Sequence, residues 1–277
     1  MKKIFISYAD DNMLYSLKRI GKQAKRLGIF DEVILYTPAL LPAYVKESPL
    51  MAYSRGGGYW VWKPAIIWET LQQFDEGDIV VYTDAGCSLK KSKQWEVYWN
   101  LLSNQHNTIV FQYKDEMPEW KQWGQTSTKI KYWTKRSVLQ YFEALLGVYD
   151  GEYNKILGGW IMCKGKDNSL IKHWLDITQE HPELIVDPVG DEINEQLPTL
   201  AYHKHEQSII TPLAHFYSSE VLILNETLET EHNNTAVVAS RIRAKNRKDF
   251  IVLRLKHYLR KLLGDKLFEM VKYKLIK

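Results

Sequence analysis

The stretch GDIVVYTDAG, residues 77–86, constrains the fold more than any other part of the chain. Its centre is apolar without a polar alternation, so both faces of the strand it forms must be covered, as in sheets layered between helices. The run ends abruptly at Asp84, which is followed by Ala85 and Gly86. In open α/β sheets, ligands bind beyond the carboxyl ends of the strands, and Asp84 falls at such an end. Asp and Gly are also ordinary turn formers, so the neighbouring segments have to decide between a turn and a site.

Those segments alternate in type. KKIFISYA (2–9) reads as a strand, and residues 11–27 follow with Leu14, Leu17, Ile20, Ala24 and Leu27 at helical spacing. DEVILYTP (31–38) is a second strand, stopped by Pro38. Behind the glycine-led GGGYWVWKP (56–64), Ile66, Ile67, Thr70, Leu71 and Phe74 share a helix face, and Pro64 suits a first turn. NTIVFQY (107–113) is a further strand. A helix is expected from Lys135 to Leu146, a strand at GGWIMCK (158–164), a helix from Ser169 to Gln179 and a proline-punctuated loop over 180–198. This order predicts an α/β fold with a mixed, mainly parallel sheet flanked by helices. Tyr8 and the Tyr36–Pro38 corner then lie at the same strand ends as Asp84.

A chain of 277 residues with 45% hydrophobic content can bury a substantial core. Two cysteines, Cys87 and Cys163, make no disulfide framework and point to a reducing compartment. The N-terminal apolar stretch is too short for a secretory signal, and no segment approaches the ~18 apolar residues of a spanning helix. A cytoplasmic protein is expected. Charge is unevenly spread: residues 241–277 hold 13 Lys or Arg and 3 Asp or Glu, whereas the rest of the chain is mildly acidic. Val252, Leu255, Leu259, Leu262, Leu263, Leu267, Met270 and Val271 mark one face of this tail, with Arg254, Lys256, Arg260, Lys261 and Lys266 on another and Gly264 as a break. This is the pattern of a basic amphipathic helix.

Four short segments carry chemistry-bearing residues. Asp84 offers hard oxygen to a divalent cation, and Gly86 lets a ligand approach the backbone. GGGYWVWKP places amide groups and Lys63 where an anion can meet them, although the spacing is not a known phosphate-loop pattern. GGW (158–160) opens a strand with room for a substrate, and Trp160 suits either a sugar ring or the core. YHKHEQS (202–208) crowds His203, His205, Glu206 and Gln207 at a helix start. A zinc-hydrolase reading of this segment lacks the helical His-Glu-x-x-His spacing. Cys87 has no evident His partner for a nucleophilic role. His181, His215 and His232 stand isolated.

Taken in order, Trp-Lys-Pro (62–64), Tyr-Thr-Asp-Ala-Gly (82–86), Gly-Gly-Trp (158–160) and His-Glu-Gln-Ser (205–208) resemble bacterial glycosyltransferases of the GT-A fold. The likeness is to enzymes that build capsular polysaccharide or O-antigen, and it covers about residues 1–220. It implies a GT-A-like (Rossmann-like) catalytic domain over 1–240, with a donor-binding half at about 1–115 and an acceptor-side half at about 116–240. A basic amphipathic helical tail then occupies 241–277. The implied reaction moves a hexosyl, galactosyl-type group from a nucleotide-diphosphate sugar, a UDP-sugar, to a glycan or lipid-linked oligosaccharide.

By position, Asp84 stands for the first acid of an Asp-x-Asp element and Gly86 replaces the second. The resemblance implies donor contacts from Tyr8, Lys63, Asp84, Ala85, Gly86, Gly159, Trp160 and His205. Glu206 would act as base in an inverting transfer, or bind the donor sugar in a retaining one, with Gln207 orienting sugar hydroxyls. It further implies Mn²⁺ or Mg²⁺ on Asp84, with His203 and His205 completing the shell, or a diphosphate held without metal by Lys63. Residues 246–277 are expected to meet an anionic membrane surface at the inner face of the plasma membrane. Nucleic acid is not expected, because the basic residues lie in a leucine-rich helix rather than among stacking aromatics. The rival reading is a non-catalytic carbohydrate-binding or scaffolding protein in which Asp84 is a turn.

Overall fold

The computed structural model describes residues 1–113, 125, 127–147, 149–225, 234–256, 258 and 262. Leu259, Leu263, Leu267, Met270 and Val271 of the expected apolar face lie outside them, as do Arg260, Lys261, Gly264, Lys266 and His232.

The N-terminal half alternates strand and helix as the apolar periodicities require. β1 (Lys3–Tyr8) leads into α1 (Leu14–Leu27), which turns Leu17, Ile20 and Ala24 inward. β2 (Glu32–Tyr36) is followed by two short turns of helix, α2 (Ala43–Lys46) and α3 (Gly56–Tyr59), and then by α4 (Trp62–Gln73). β3 (Ile79–Thr83) is buried at every position, as its unbroken apolar run demands. β4 (Ser88–Leu89), α5 (Gln94–Asn104) and β5 (Thr108–Gln112) complete this half. The second half supplies α6 (Arg136–Leu146), β6 (Ile156–Lys164), α7 (Ser169–Glu180), α8 (Glu206–Phe216), β7 (Val221–Asn225) and β8 (Val237–Val238).

Six strands form one sheet in the order β2-β1-β3-β6-β5-β7. The pairs β1–β2, β1–β3 and β5–β7 are parallel, and β6 alone runs antiparallel to its neighbours β3 and β5. The mixed, mainly parallel α/β sheet expected from the sequence is therefore what the chain forms. Because β6 is reversed, its start, at Leu157 and Gly158, lies at the edge where β1 and β3 end.

The chain does not leave the body at residue 240. Ile242 donates its N–H to the Gly86 carbonyl at 3.0 Å, and Ser16 Oγ donates to the Ile242 carbonyl at 2.7 Å. Ala244 is fully buried. Residues 247–256 then form a helix whose first turn is capped by Asn246, the Oδ1 of which accepts from Asp249 N–H at 3.0 Å. No helix among the described residues is long and apolar enough to cross a membrane.

Candidate active site

All four chemistry-bearing segments converge at the carboxyl edge of the sheet, and Lys63 ties them together. Lys63 lies in the first turn of α4 and is fully buried. Its ammonium donates to the Gly158 carbonyl at 2.9 Å and lies 3.3 Å from both Asp84 Oδ1 and Glu206 Oε1. Residues 63, 84, 158 and 206 thus meet at one nitrogen. Burial alone would lower the Lys63 pKa, but the charges of Asp84 and Glu206 outweigh it and the net direction is upward. Lys63 is a fixed cation.

Asp84 follows the last residue of β3, and its side chain is 43% exposed. Its N–H donates to the Gly159 carbonyl at 3.0 Å, and its own carbonyl accepts from Cys87 N–H at 2.9 Å. The segment is therefore a turn whose carboxylate is held against the Lys63 ammonium. The Tyr82 hydroxyl donates to Asp84 Oδ1. That contact follows from strand geometry, since residues two apart point to the same face. The sequence reading missed Tyr82, although this spacing could have shown it.

Glu206 opens α8, where the helix dipole favours a negative charge. Burial pushes its carboxyl up from the ordinary range, Lys63 opposes this, and Asp84 adds to it. A carboxylate with a raised pKa is a better proton acceptor near neutrality than a solvated one. Gly158 is required by this arrangement. A Cβ there would stand 2.8 Å from Glu206 Oε1 and 3.4 Å from Lys63 Nζ. At Gly159 it would stand 3.2 Å from Asp84 Oδ2.

Around this centre lie aromatic and cationic walls. Tyr8, at the end of β1, packs on Trp62 with ring centroids 4.0 Å apart, and burial raises its pKa to about 12. Gly56, Gly57 and Gly58 have φ of 59°, 58° and 96°, which lets the loop fold back over Trp60 and Trp62. Lys204 has its pKa lowered to about 8, chiefly by burial, with Arg241 and Arg55 lowering it further and Glu206 opposing. Lys204 therefore stands within electrostatic reach of Arg241, Arg55 and Glu206. Arg55 also pairs with Asp187 at 3.1 Å. None of these three cations was singled out from the sequence, because charged loop residues carry no periodic signal.

Several expected contacts are corrected. Trp160 is fully buried with its ring stacked on Phe111 at 3.8 Å, so it is a core residue and cannot stack on a sugar. The Gln207 amide donates to the Ile156 carbonyl at 2.9 Å, which commits it to β6. Ala85 and Gly86 are buried, and residues 241–242 cover Gly86. His203 bonds backbone through both ring nitrogens: Nδ1 with Lys135 N–H at 3.3 Å and Nε2 with the Leu184 carbonyl at 3.0 Å. His205 Nδ1 lies 2.7 Å from the Ile185 carbonyl, and its ring stacks on Trp60. Both imidazoles are driven toward neutrality chiefly by burial, His205 to about 4.

Asp84 and these two histidines do not form a metal shell. No group of three His, Cys, Asp or Glu that could hold a metal occurs among the described residues. The carboxylates of Asp84 and Glu206 are bridged by an ammonium instead. Among the described residues, Asp84 therefore lacks the histidine partners expected to complete a shell around Mn²⁺ or Mg²⁺.

No protein-family model and no curated protein sequence matches the chain. Among solved structures, it is similar to a glycosyltransferase involved in glycosylation of the major capsid of PBCV-1 (10% identity, 81% of this chain and 82% of that one, TM-score 0.43). It is also similar to mouse xyloside xylosyltransferase 1 in its apo form (12% identity, 81% and 85%, TM-score 0.40). A third is the galactosyltransferase LgtC in complex with donor and acceptor sugar analogs (13% identity, 79% and 72%, TM-score 0.36).

Proposed function

We propose that this chain is a glycosyltransferase that moves a hexosyl, galactosyl-type group from a UDP-sugar to a glycan or lipid-linked acceptor in cell-surface polysaccharide synthesis. The observation that carries the reading is the meeting of Asp84 and Glu206 across the buried Lys63 ammonium at the carboxyl edge of the sheet. A turn-forming Asp would need no buried cation and no pair of glycines cleared around it.

In this reading, half-exposed Asp84 receives the donor, with the largely buried Tyr8 beneath it. The bond from the anomeric carbon to the diphosphate oxygen breaks, and its electron pair stays on that oxygen. Lys204 and Arg241 supply the counter-charge to the leaving diphosphate. The acceptor hydroxyl oxygen forms the new bond to the anomeric carbon, and its proton passes to the Glu206 carboxylate, as in an inverting transfer. Lys63 touches neither sugar. It holds the two carboxylates in place, and no step passes through a metal ion. The protein works in the cytoplasm, peripheral to the inner face of the membrane, where residues 246–277 meet anionic lipid.

Isothermal titration with UDP and UDP-sugars, in EDTA and again in Mn²⁺, tests this. Binding of equal strength in both buffers is expected. Absence of binding to every nucleoside diphosphate overturns the reading, and binding that appears only with Mn²⁺ overturns its metal-free form.

A further inference from the structure

On the flank of the sheet, α1 presents a charge pattern unlike that of the active site. Its sequence LYSLKRIGKQAKRL contains Lys18, Arg19, Lys22, Lys25 and Arg26 and no acid. Lys18, Arg19, Lys22 and Arg26 line a cavity of about 410 Å³ together with Lys90 and Arg254. Six cations face it, and no Asp or Glu is among its described lining residues. Like charges gathered around a concavity repel one another and focus a positive potential into it. An anion that enters relieves both effects.

Arg19 fixes the floor. Its guanidinium donates to the carbonyls of Ala85 and Cys87, and to Ser88 Oγ and Gln23 Oε1 at 3.1 Å each. All four acceptors are neutral, so none of them carries a charge that offsets the guanidinium. The buried Arg19 Nε has no hydrogen-bond partner. A cavity of this size lined by six cations suits a phosphate-bearing ligand.

The source of that phosphate is indicated by the opposite wall. Phe250 and Arg254 line the cavity one helical turn apart, and Phe250 packs on Tyr15 at 5.3 Å. On the adjoining side of the same helix Ile251, Val252 and Leu255 are exposed, by 47%, 47% and 55%. A cationic cavity beside bare apolar side chains matches the two layers of a membrane surface, phosphate outside and hydrocarbon beneath.

We propose that this cavity binds the phosphorylated headgroup of an anionic membrane lipid while Ile251, Val252 and Leu255 enter the interface. The inference rests on the membrane-surface part of the proposed function and is independent of glycosyl transfer. The test is sedimentation of the full chain with phosphatidylcholine vesicles, with and without phosphatidylglycerol. Three proteins are compared: wild type, the charge reversal Lys22→Glu/Arg26→Glu, and Lys25→Glu. All three residues are exposed, and Lys25 is on the same helix but outside the cavity.

Wild type is expected to sediment only with the anionic vesicles. The double reversal should weaken this by about tenfold or more, and Lys25→Glu by no more than about twofold. A wild type that sediments with neither vesicle fails the membrane reading as a whole. Binding untouched by the double reversal, or weakened equally by Lys25→Glu, fails the cavity alone. Thermal stabilisation by inorganic pyrophosphate that depends on Lys22 and Arg26, without vesicle binding, overturns the lipid assignment in favour of a soluble phosphate.

Discussion

Lys63 and Arg19 grip the same turn from opposite sides. Lys63 reaches the Asp84 side chain, and Arg19 reaches the carbonyls of Ala85 and Cys87. Lys63 is enclosed with two carboxylates, whereas Arg19 has only neutral acceptors and faces five more cations. The first region carries its own counter-charge, so its geometry is set before any ligand arrives. The second has no Asp or Glu among its described lining residues, so its positive potential favours an incoming anion. A preorganised centre suits chemistry, and a cation-lined one suits reversible docking.

Removing the internal cation should break this contrast most severely. Lys63→Met leaves Asp84 and Glu206 facing each other without the ammonium, at a cost of about 3–5 kcal/mol typical of orphaned buried charges. Urea denaturation should show that loss, and transfer activity should vanish. Arg19→Met forfeits hydrogen bonds to neutral groups only, and about 1–2 kcal/mol is expected. Equal costs for the two variants would remove the distinction between the regions.

Gly158→Ala is the next largest. Its methyl would stand 2.8 Å from Glu206 Oε1, so the carboxylate must move off Lys63 or β6 must shift. A destabilisation of about 1–3 kcal/mol is expected, with a larger fall in kcat than in donor affinity because the base is displaced. A change confined to donor affinity would place Glu206 on the donor rather than at the acceptor proton.

Much of this was legible in the chain and some was not, for physical reasons. The strand through Val80 and Val81 and the helix through Leu17, Ile20 and Ala24 announce themselves, because burial on two faces or on one stripe imposes a period. Asp84, Lys63 and Glu206 stand out as polar groups at element ends. The reversal of β6 has no sequence period, yet it is what delivers Gly158 to Lys63. The fate of His203 was hidden for a similar reason. Which carbonyls a histidine meets depends on the 182–185 turn folding beneath it, and that is a long-range fact. Trp160 reads the same whether its ring faces a sugar or Phe111.

The cationic wall gives a subtler handle, through pH. Lys204 titrates at about 8, so it is charged below that value and neutral above it. If it offsets the diphosphate, affinity for a UDP-sugar is full below about pH 7 and falls roughly tenfold by about pH 9, as the ammonium fraction drops. Lys204→Arg stays charged throughout and should flatten the profile. A wild-type profile already flat across this range would remove Lys204 from the donor site and leave the counter-charge to Arg241 and Arg55.

The smallest expected effect tests the correction at Trp160. Its ring is packed on Phe111 at 3.8 Å and edge-on to Tyr98 at 5.3 Å, with no exposed surface. Trp160→Phe removes part of a large buried ring and leaves a void, so a loss of about 1–3 kcal/mol in stability is expected from the core. Donor affinity, measured by the same titration, should change by less than about twofold, because nothing that the donor touches is altered. A large loss of affinity with stability preserved would mean that the ring swings out to meet the sugar. The division between a packed aromatic core and an open carboxylate edge would then have to be redrawn at Gly159.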